Sequence, residues 1–516
     1  MADREHFNAA AFFVDRHVAE GRGARTAFRA DGVVVSYAQL ARRVDRFART
    51  LAAHDVELEN RVLLVLEDTP AFAVAFWAVV KLGAVAVPVN TLLTAEEYRF
   101  LLDDSRAKVA VVDGAAADRV RAIRDRCPFL RHVLSAPHDD ARSSVAFDAP
   151  GDAGSGTPAP AAATVREDIM YWGYTSGSTG EPKAAVHSHK DFVAAADMVG
   201  VGVFGIGPDD VVFSASKMFF AFGLGNSLYF PARVGATAVL VRERIDAARA
   251  FDVITRERPT VFFTVPTLYA RMLQVEDAEA RFDLSSLRLC VSSGEALPPA
   301  IFDAWQKRFG HELVDVVGST EALHDFLANR PGAVRRGSAG RLVPGFEARL
   351  VDEAGMPVPD GTVGHLFIKG ETTSPYYWNR LERTRATMHG PWLRTGDMLW
   401  RDADGYFYFA GRADDMLKVA GAWVSPAEIE GHLAEHPAVL EAAVAGIPEE
   451  DGLPRPHAFV VLRPAVPPSD ALARELLDFL TPRLASYKLP RRICFVAELP
   501  KTATGKLQRV RLRAAE

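Results

Sequence analysis

Between Tyr174 and Lys183 the chain reads Tyr-Thr-Ser-Gly-Ser-Thr-Gly-Glu-Pro-Lys. Hydroxyl side chains alternate with glycines, and a lysine closes the run. Such a segment can wrap a polyphosphate: glycine permits close backbone approach, hydroxyls and N–H groups donate, and an ammonium offsets the charge. The donors would be Thr175, Ser176, Gly177, Ser178, Thr179 and Gly180, with Lys183 as the cation. The spacing is not that of a Walker loop, which needs four residues between its glycines and then Lys-Ser/Thr. Taken alone, the tetrapeptide Gly177–Gly180 also suits an exposed turn.

Four further segments carry groups of this kind, in order: Gly318-Ser319-Thr320-Glu321, Arg394-Thr395-Gly396-Asp397, Gly411-Arg412-Ala413-Asp414-Asp415 and Pro500-Lys501-Thr502-Ala503-Thr504-Gly505-Lys506. With the 174–183 loop they make the chain resemble the adenylate-forming superfamily of acyl- and aryl-CoA ligases, peptide-synthetase adenylation domains and luciferases, from about residue 30 to its end. The resemblance implies ATP, Mg²⁺ and coenzyme A. It assigns Glu321 to the metal beside Thr320, Asp397 and Arg412 to the ribose, and Ser293, Gly294, Glu295 and Asp315 to the adenine border. Asp414 falls at the hinge, and Lys506 at the lysine that touches the substrate carboxylate and the α-phosphate. Lys418, Gly421 and Trp423 fall in the turn lining the pantetheine tunnel. Singly, several of these have plainer readings: a Thr-Glu helix cap, a turn aspartate, a solvated lysine in a basic tail.

The acid pocket is the informative part. The stretches 217–226 and 318–324 resemble the benzoate-CoA ligase branch. Phe220, Ala221, Phe222, Gly223 and Val317 would shape a flat slot for an aromatic ring, with the histidine His324 near the carboxylate and Asp325 beside it. The branch commonly has a tyrosine at the position of Phe222 and an apolar residue at that of Asp325. A lost hydroxyl and a gained carboxylate point to a ring that brings its own donor, an aminobenzoate such as anthranilate before a hydroxybenzoate. Asp325 can equally be solvated, and His324 a core residue. The expected activity is that of an aryl-CoA ligase working through an aryl-AMP. The alternatives are an adenylation enzyme loading a carrier-protein phosphopantetheine and a non-catalytic relative, the latter disfavoured by the presence of Thr320, Glu321, Asp397, Arg412 and Lys506.

The elements that must position these groups alternate. Val62–Leu66, Val109–Asp113, Val261–Val265 and Leu287–Ser292 read as strands, and a helix is expected from about Tyr37 to Ala53 with apolar residues at 40, 44, 47 and 51. Continuous apolar strands between helices predict a layered α/β fold with ligands at strand carboxyl ends. Residues 364–370 and 406–410 read as a more antiparallel region, and 136–165 as a loop. After Arg412 a small α+β unit follows: helix 426–434, strands 439–446 and 456–463, helix 470–483 and strand 492–497. The expected architecture is thus a large multi-layered N-terminal α/β domain (1–411) and a small mobile C-terminal α+β domain (412–516), the adenylate-forming enzyme fold.

The chain's 516 residues exceed one compact core. Its net charge of −6 argues against general nucleic-acid binding. Cys127, Cys290 and Cys494 have no paired spacing, so neither a zinc site nor a disulfide framework is expected, and a reducing cytoplasm fits. The charged N-terminus leads into no signal-like apolar stretch. Glu67, Asp68 and Lys81 interrupt the apolar 63–89 region, which favours a buried strand and helix over a membrane span. The expected partners are a small aromatic acid and CoA, with the chain a monomer or homodimer.

Overall fold

The structure, a computed structural model, describes residues 5–136, 159–175, 181–419, 422–449, 454–464, 466–501 and 507–513. The apolar runs form the centre of a six-stranded sheet in which Val109–Val112, Arg61–Val65, Val85–Pro88 and Ile169–Thr175 are neighbours in that order, all parallel. Lys183–Ser188 closes one edge antiparallel to Ile169–Thr175. The helix Tyr37–Ala53 has its expected limits, and Ser36 and Gln39 cap it reciprocally. Every residue of the helix Pro70–Lys81 is buried. Its final residue, Lys81, is only 1% exposed and is neutralised by Asp15 at 2.9 Å and by Asp45. An ammonium left unpaired at that depth would be strongly destabilising, so both carboxylates are required by its burial.

A nine-stranded sheet carries the second half of the larger body. Val211–Ser214, Val261–Thr264, Leu289–Ser292 and Leu313–Gly318 run parallel side by side, and Asp325–Ala328 returns antiparallel to the last. That reversal confines residues 319–324 to a tight corner at the carboxyl edge of the sheet. One apolar core joins the two sheets, containing both Val62 and Leu64 of the first and Phe263, Val291 and Val314 of the second. This is the layered α/β arrangement expected. The strand Thr26–Ala30 adds to those read from the sequence, and a short helix spans Ala221–Leu224.

An antiparallel five-stranded sheet follows, in which Trp392–Arg401 pairs with Gly364–Lys369 and with Phe407–Arg412. Beyond a turn at 413–416 the α+β unit has its own core of Leu417, Val424, Ile429, Val444 and Val460 among others. Its helix Pro426–Ala434 is capped by Ser425 and matches its expected span. The helix Asp470–Leu480 stops short of 483: Thr481 keeps helical backbone, with φ of −53° and ψ of −44°, but Pro482 after it has no N–H to donate to the preceding turn. Residues 159–165 carry no regular element, and the rest of the expected loop, 137–158, lies outside the described residues. Among the described residues no helix is long and apolar enough to cross a membrane.

Candidate active site

The hairpin of Ile169–Thr175 and Lys183–Ser188 brings the two ends of the 175–183 loop together, with Thr175 opposite Lys183. Ser176, Gly177, Ser178, Thr179 and Gly180 lie outside the described residues. Gly173 must lack a side chain, because a Cβ there would lie 2.5 Å from Cγ2 of Thr320. The hairpin therefore abuts the corner that holds Thr320 and Glu321. Lys183 Nζ lies 3.3 Å from Glu321 Oε1 and donates to the hydroxyl of Tyr377 at 2.5 Å. That hydroxyl donates to Glu321 Oε1 at 2.6 Å. Burial raises the Glu321 carboxyl, but Lys183 and Tyr377 outweigh it and hold its pKa below the usual value. Burial and the Glu321 carboxylate push the Tyr377 hydroxyl up, so it stays protonated and remains a donor.

Residues 319–324 form this corner. Ser319 caps a short turn, Thr320–Ala322, and Leu323 follows with φ of +67° although it is fully buried. The turn is held from outside: His187 Nε2 donates to Thr320 O at 2.8 Å, Ser374 N to Glu321 O at 2.7 Å, and Thr372 Oγ1 to Ala322 O at 2.8 Å. Glu321 thus faces the hairpin, whereas His324, three residues on, packs against the helical segment around Phe222.

His324 is 3% exposed; its ring lies 4.5 Å from Phe230 and 5.5 Å from Phe222, and its Nε2 is 3.4 Å from Phe222 O. Its Nδ1 is 2.9 Å from Asp325 Oδ2, but neither atom has a partner in hydrogen-bonding alignment. The two atoms are in close contact without a linear hydrogen bond. Asp325, also buried, turns its Oδ1 back beneath Gly318 to 3.4 Å from Ser293 Oγ. Ala221 and Phe222 sit in the first turn after Phe220, with Phe222 also 6.0 Å from Phe263. The smallness of Gly223 has a backbone cause: a Cβ would lie 2.1 Å from Lys217 O. The glycine that makes room for the histidine is Gly225, where a Cβ would meet His324 Cδ2 at 2.4 Å. Gly225→Ala should therefore displace His324 and lower kcat/KM for the acid by on the order of a hundredfold. Pyrophosphate release at saturating ATP measures this, and an unaltered efficiency would show that His324 has no part in acid binding.

In the antiparallel sheet, Asp397 and Arg412 are cross-strand partners, joined at 2.6 Å through Nη1 and Oδ1. Gly396, with φ of +80°, lets Arg412 lie across the strand, since a Cβ would be 2.7 Å from its Nη2. Ser293 follows the strand Leu289–Ser292, Gly294 has φ of +87°, and Glu295 accepts from Thr267 Oγ1 at 2.7 Å. Asp315, deep in the sheet, has an Oδ1 without a hydrogen-bond partner, and burial pushes its carboxyl well up. A cavity of about 1460 Å³ joins Asp315, Val317, Asp397 and Arg412 to Lys501 and Leu507 of the C-terminal unit.

The Asp414 turn bridges the two bodies: Asp415 N and Met416 N both donate to Arg412 O at 2.9 Å. Arg509 then ties Asp415, at 3.4 Å, to Glu430, at 2.7 Å. Lys418 and Trp423 are paired across the hairpin of Leu417–Val419 and Ala422–Val424. Gly421 and Lys506 lie outside the described residues. Tyr377 and Gly225 were not legible as site residues. Each acts on a partner far away in sequence, and the only local hint was the aromatic run Tyr376-Tyr377-Trp378.

Residues 15–378 match the family described as AMP-binding enzyme, and residues 428–506 the AMP-binding enzyme C-terminal domain. The chain belongs to the AMP-binding enzymes. A benzoate–CoA ligase of Thauera aromatica is 44% identical to this AMP-binding enzyme, over 99% of this chain and 96% of the relative. The crystal structure of the anthranilate CoA ligase AuaEII in complex with anthranoyl-AMP superposes with a TM-score of 0.92 at 41% identity, covering 99% of this chain and 97% of that one. A benzoate CoA ligase from Burkholderia xenovorans LB400 gives 0.89 at 44% identity, with 98% and 100% covered. This AMP-binding enzyme is an AMP-forming acid–thiol ligase of the adenylate-forming aryl-CoA ligase branch, a family whose substrates are ATP, CoA and a small aromatic acid.

Proposed function

We propose that the enzyme converts an amino-substituted benzoate, 2-aminobenzoate first among them, to its CoA thioester through an aryl-AMP. The carboxylate oxygen attacks the α-phosphorus of ATP, forming an O–P bond as the bond to pyrophosphate breaks. The CoA sulfur then attacks the acyl carbon, AMP leaves, and the thiol proton passes to solvent. The 175–183 loop, with Lys183, takes the phosphates, Asp397 and Arg412 the ribose, and Ser293, Gly294, Glu295 and Asp315 the adenine. Lys506 meets the carboxylate and the α-phosphate, with Thr320 and His324 near the reacting groups. Lys418, Gly421 and Trp423 line the path of the pantetheine. Residues 1–411 and 412–516 act as two domains that reorient about Asp414. We place the enzyme in the cytoplasm as a monomer or homodimer.

A Mg²⁺ ion suits this donor set. Glu321 is kept ionised by Lys183 and Tyr377, and among the described residues no cluster of three or more ligating side chains competes with it. Magnesium needs only one or two protein carboxylates when phosphate oxygens complete its shell. Glu321 would hold it beside Thr320, where it would neutralise phosphate charge.

The observation that carries the substrate class is Asp325 Oδ2, buried beside His324 with no donor in hydrogen-bonding alignment. A buried acceptor left in that state is destabilising unless a ligand supplies the donor. A neutral aniline supplies N–H groups without adding negative charge. The similarity to an anthranilate CoA ligase along nearly the whole chain supports the same reading. The test measures pyrophosphate release with 2-aminobenzoate, 2-hydroxybenzoate and benzoate. The parent should prefer 2-aminobenzoate, and Asp325→Leu should shift the ratio toward benzoate by at least about tenfold. Benzoate as the best parent substrate, or an unchanged ranking in the variant, would remove Asp325 as selector. CoA and a carrier protein compared as acceptors separate the ligase from a carrier-loading enzyme.

A further inference from the structure

Tyr377 has a place in this site that its sequence neighbourhood does not announce. It is 2% exposed, and its hydroxyl makes contacts of 2.5 Å to Lys183 Nζ and 2.6 Å to Glu321 Oε1, while those two charged atoms stand 3.3 Å apart. The Lys183 ammonium also lies 3.9 Å from the centre of the Tyr377 ring. The backbone is pinned as firmly as the side chain. Tyr377 N donates to Thr384 Oγ1 at 3.0 Å, and a β-bridge joins Tyr377 to Ala185 on the Lys183 strand. The same segment reaches Glu321 through Ser374 N.

We propose that Tyr377 is a positioning residue of the adenylation step: its hydroxyl, in contact with both groups, holds the Lys183–Glu321 ion pair at 3.3 Å instead of letting it tighten to the roughly 2.7–2.9 Å of a charge-assisted hydrogen bond, so that both remain available to the nucleotide phosphates and their divalent cation. The inference rests on the assignment of Lys183 and Glu321 to the phosphate side. An ion pair tightened to that distance, with both side chains mostly covered, is held more strongly than the longer pair observed. An incoming ATP would have to break it before using either partner. The phenol supplies each group with a hydrogen bond that stays with the protein when phosphate oxygens and their cation take over the charge contact. The face of the ring holds the ammonium on the loop side while this exchange takes place.

Tyr377→Phe keeps the ring, the β-bridge and the backbone contacts, and removes only the hydroxyl. The full-length variant should bind ATP about tenfold more weakly by calorimetry in the presence of Mg²⁺, and KM for ATP in pyrophosphate release should rise by a similar factor. KM for the acid and thioester formation from supplied aryl-AMP should match the parent. If the variant is less stable, the ATP-induced rise in Tm is the readout, and it should shrink relative to that of the parent. ATP affinity within about twofold of the parent, or equal losses in both half-reactions, would overturn the proposal. Lys183→Met and Glu321→Gln separate it from the reading beneath it. If they lose ATP affinity while Tyr377→Phe does not, only the role of Tyr377 falls. If they too bind ATP as the parent does, the assignment of the phosphate site falls with it.

Discussion

Lys506→Ala should lower aryl-AMP formation by on the order of a hundredfold or more and leave thioester formation from supplied aryl-AMP at the parent rate. The step it serves brings a carboxylate against a triphosphate, and charge grows on the α-phosphoryl oxygens as pyrophosphate departs. A positioned ammonium favours that charge more than it favours the bound substrates, which is the condition for accelerating the step. The nearest described residues on either side of it, Lys501 and Leu507, both line the cavity that contains Asp397 and Arg412. Lys501 cannot readily stand in for it, since its ammonium is paired with Glu441 at 2.6 Å. Pyrophosphate release and the isolated second half-reaction, measured on the same preparation, give the answer. Equal losses in the two would mean that Lys506 serves both steps.

The second large effect is expected at Asp414. Asp415 N donates to Arg412 O, so Asp414 occupies the third position of a turn. Proline is disfavoured there because it drives the preceding residue out of helical backbone, here Ala413. Asp414→Pro should therefore destabilise the arrangement in which Lys501 and Leu507 face the nucleotide cavity. Adenylation should fall by on the order of tenfold or more, while thioester formation from supplied aryl-AMP is retained, because hinge residues must absorb the dihedral change between the orientations. Parent rates in both half-reactions would show that residue 414 is not the pivot.

What could be read without the structure was set by local physics. The helix Pro426–Ala434 was recognisable from a capping serine, a proline at its first position and an acidic residue in its first turn. The buried strands were recognisable from continuous apolar runs. Asp397 and Arg412 could be named from their motifs, but their direct pairing depends on the register of two antiparallel strands, which neither motif contains. Gly223 shows the same limit. Its small size was visible, yet the direction of the missing Cβ, toward Lys217 O rather than toward a ring, follows from the path of the backbone. Tyr377 and Lys183 are 194 positions apart, and no period or spacing links them.

The corner at 319–324 sets a relation between specificity and speed. Glu321 and His324 leave the same short turn toward different ligands, and Leu323 between them holds a backbone conformation that costs about 1–3 kcal/mol. His187, Ser374 and Thr372 clamp that turn by donating to three successive carbonyl groups, so it has little freedom to bend internally. With the site assignments proposed above, it behaves as a fixed gauge with the acid at one end and the triphosphate at the other. An ill-fitting acid that pushes on His324 would shift Glu321 by the same movement, and the error would reach the attack geometry. Poor acids should therefore bind and turn over slowly rather than simply fail to bind. An enlarged pocket is better sought at Phe222, across the helical wall, where the gauge is left alone.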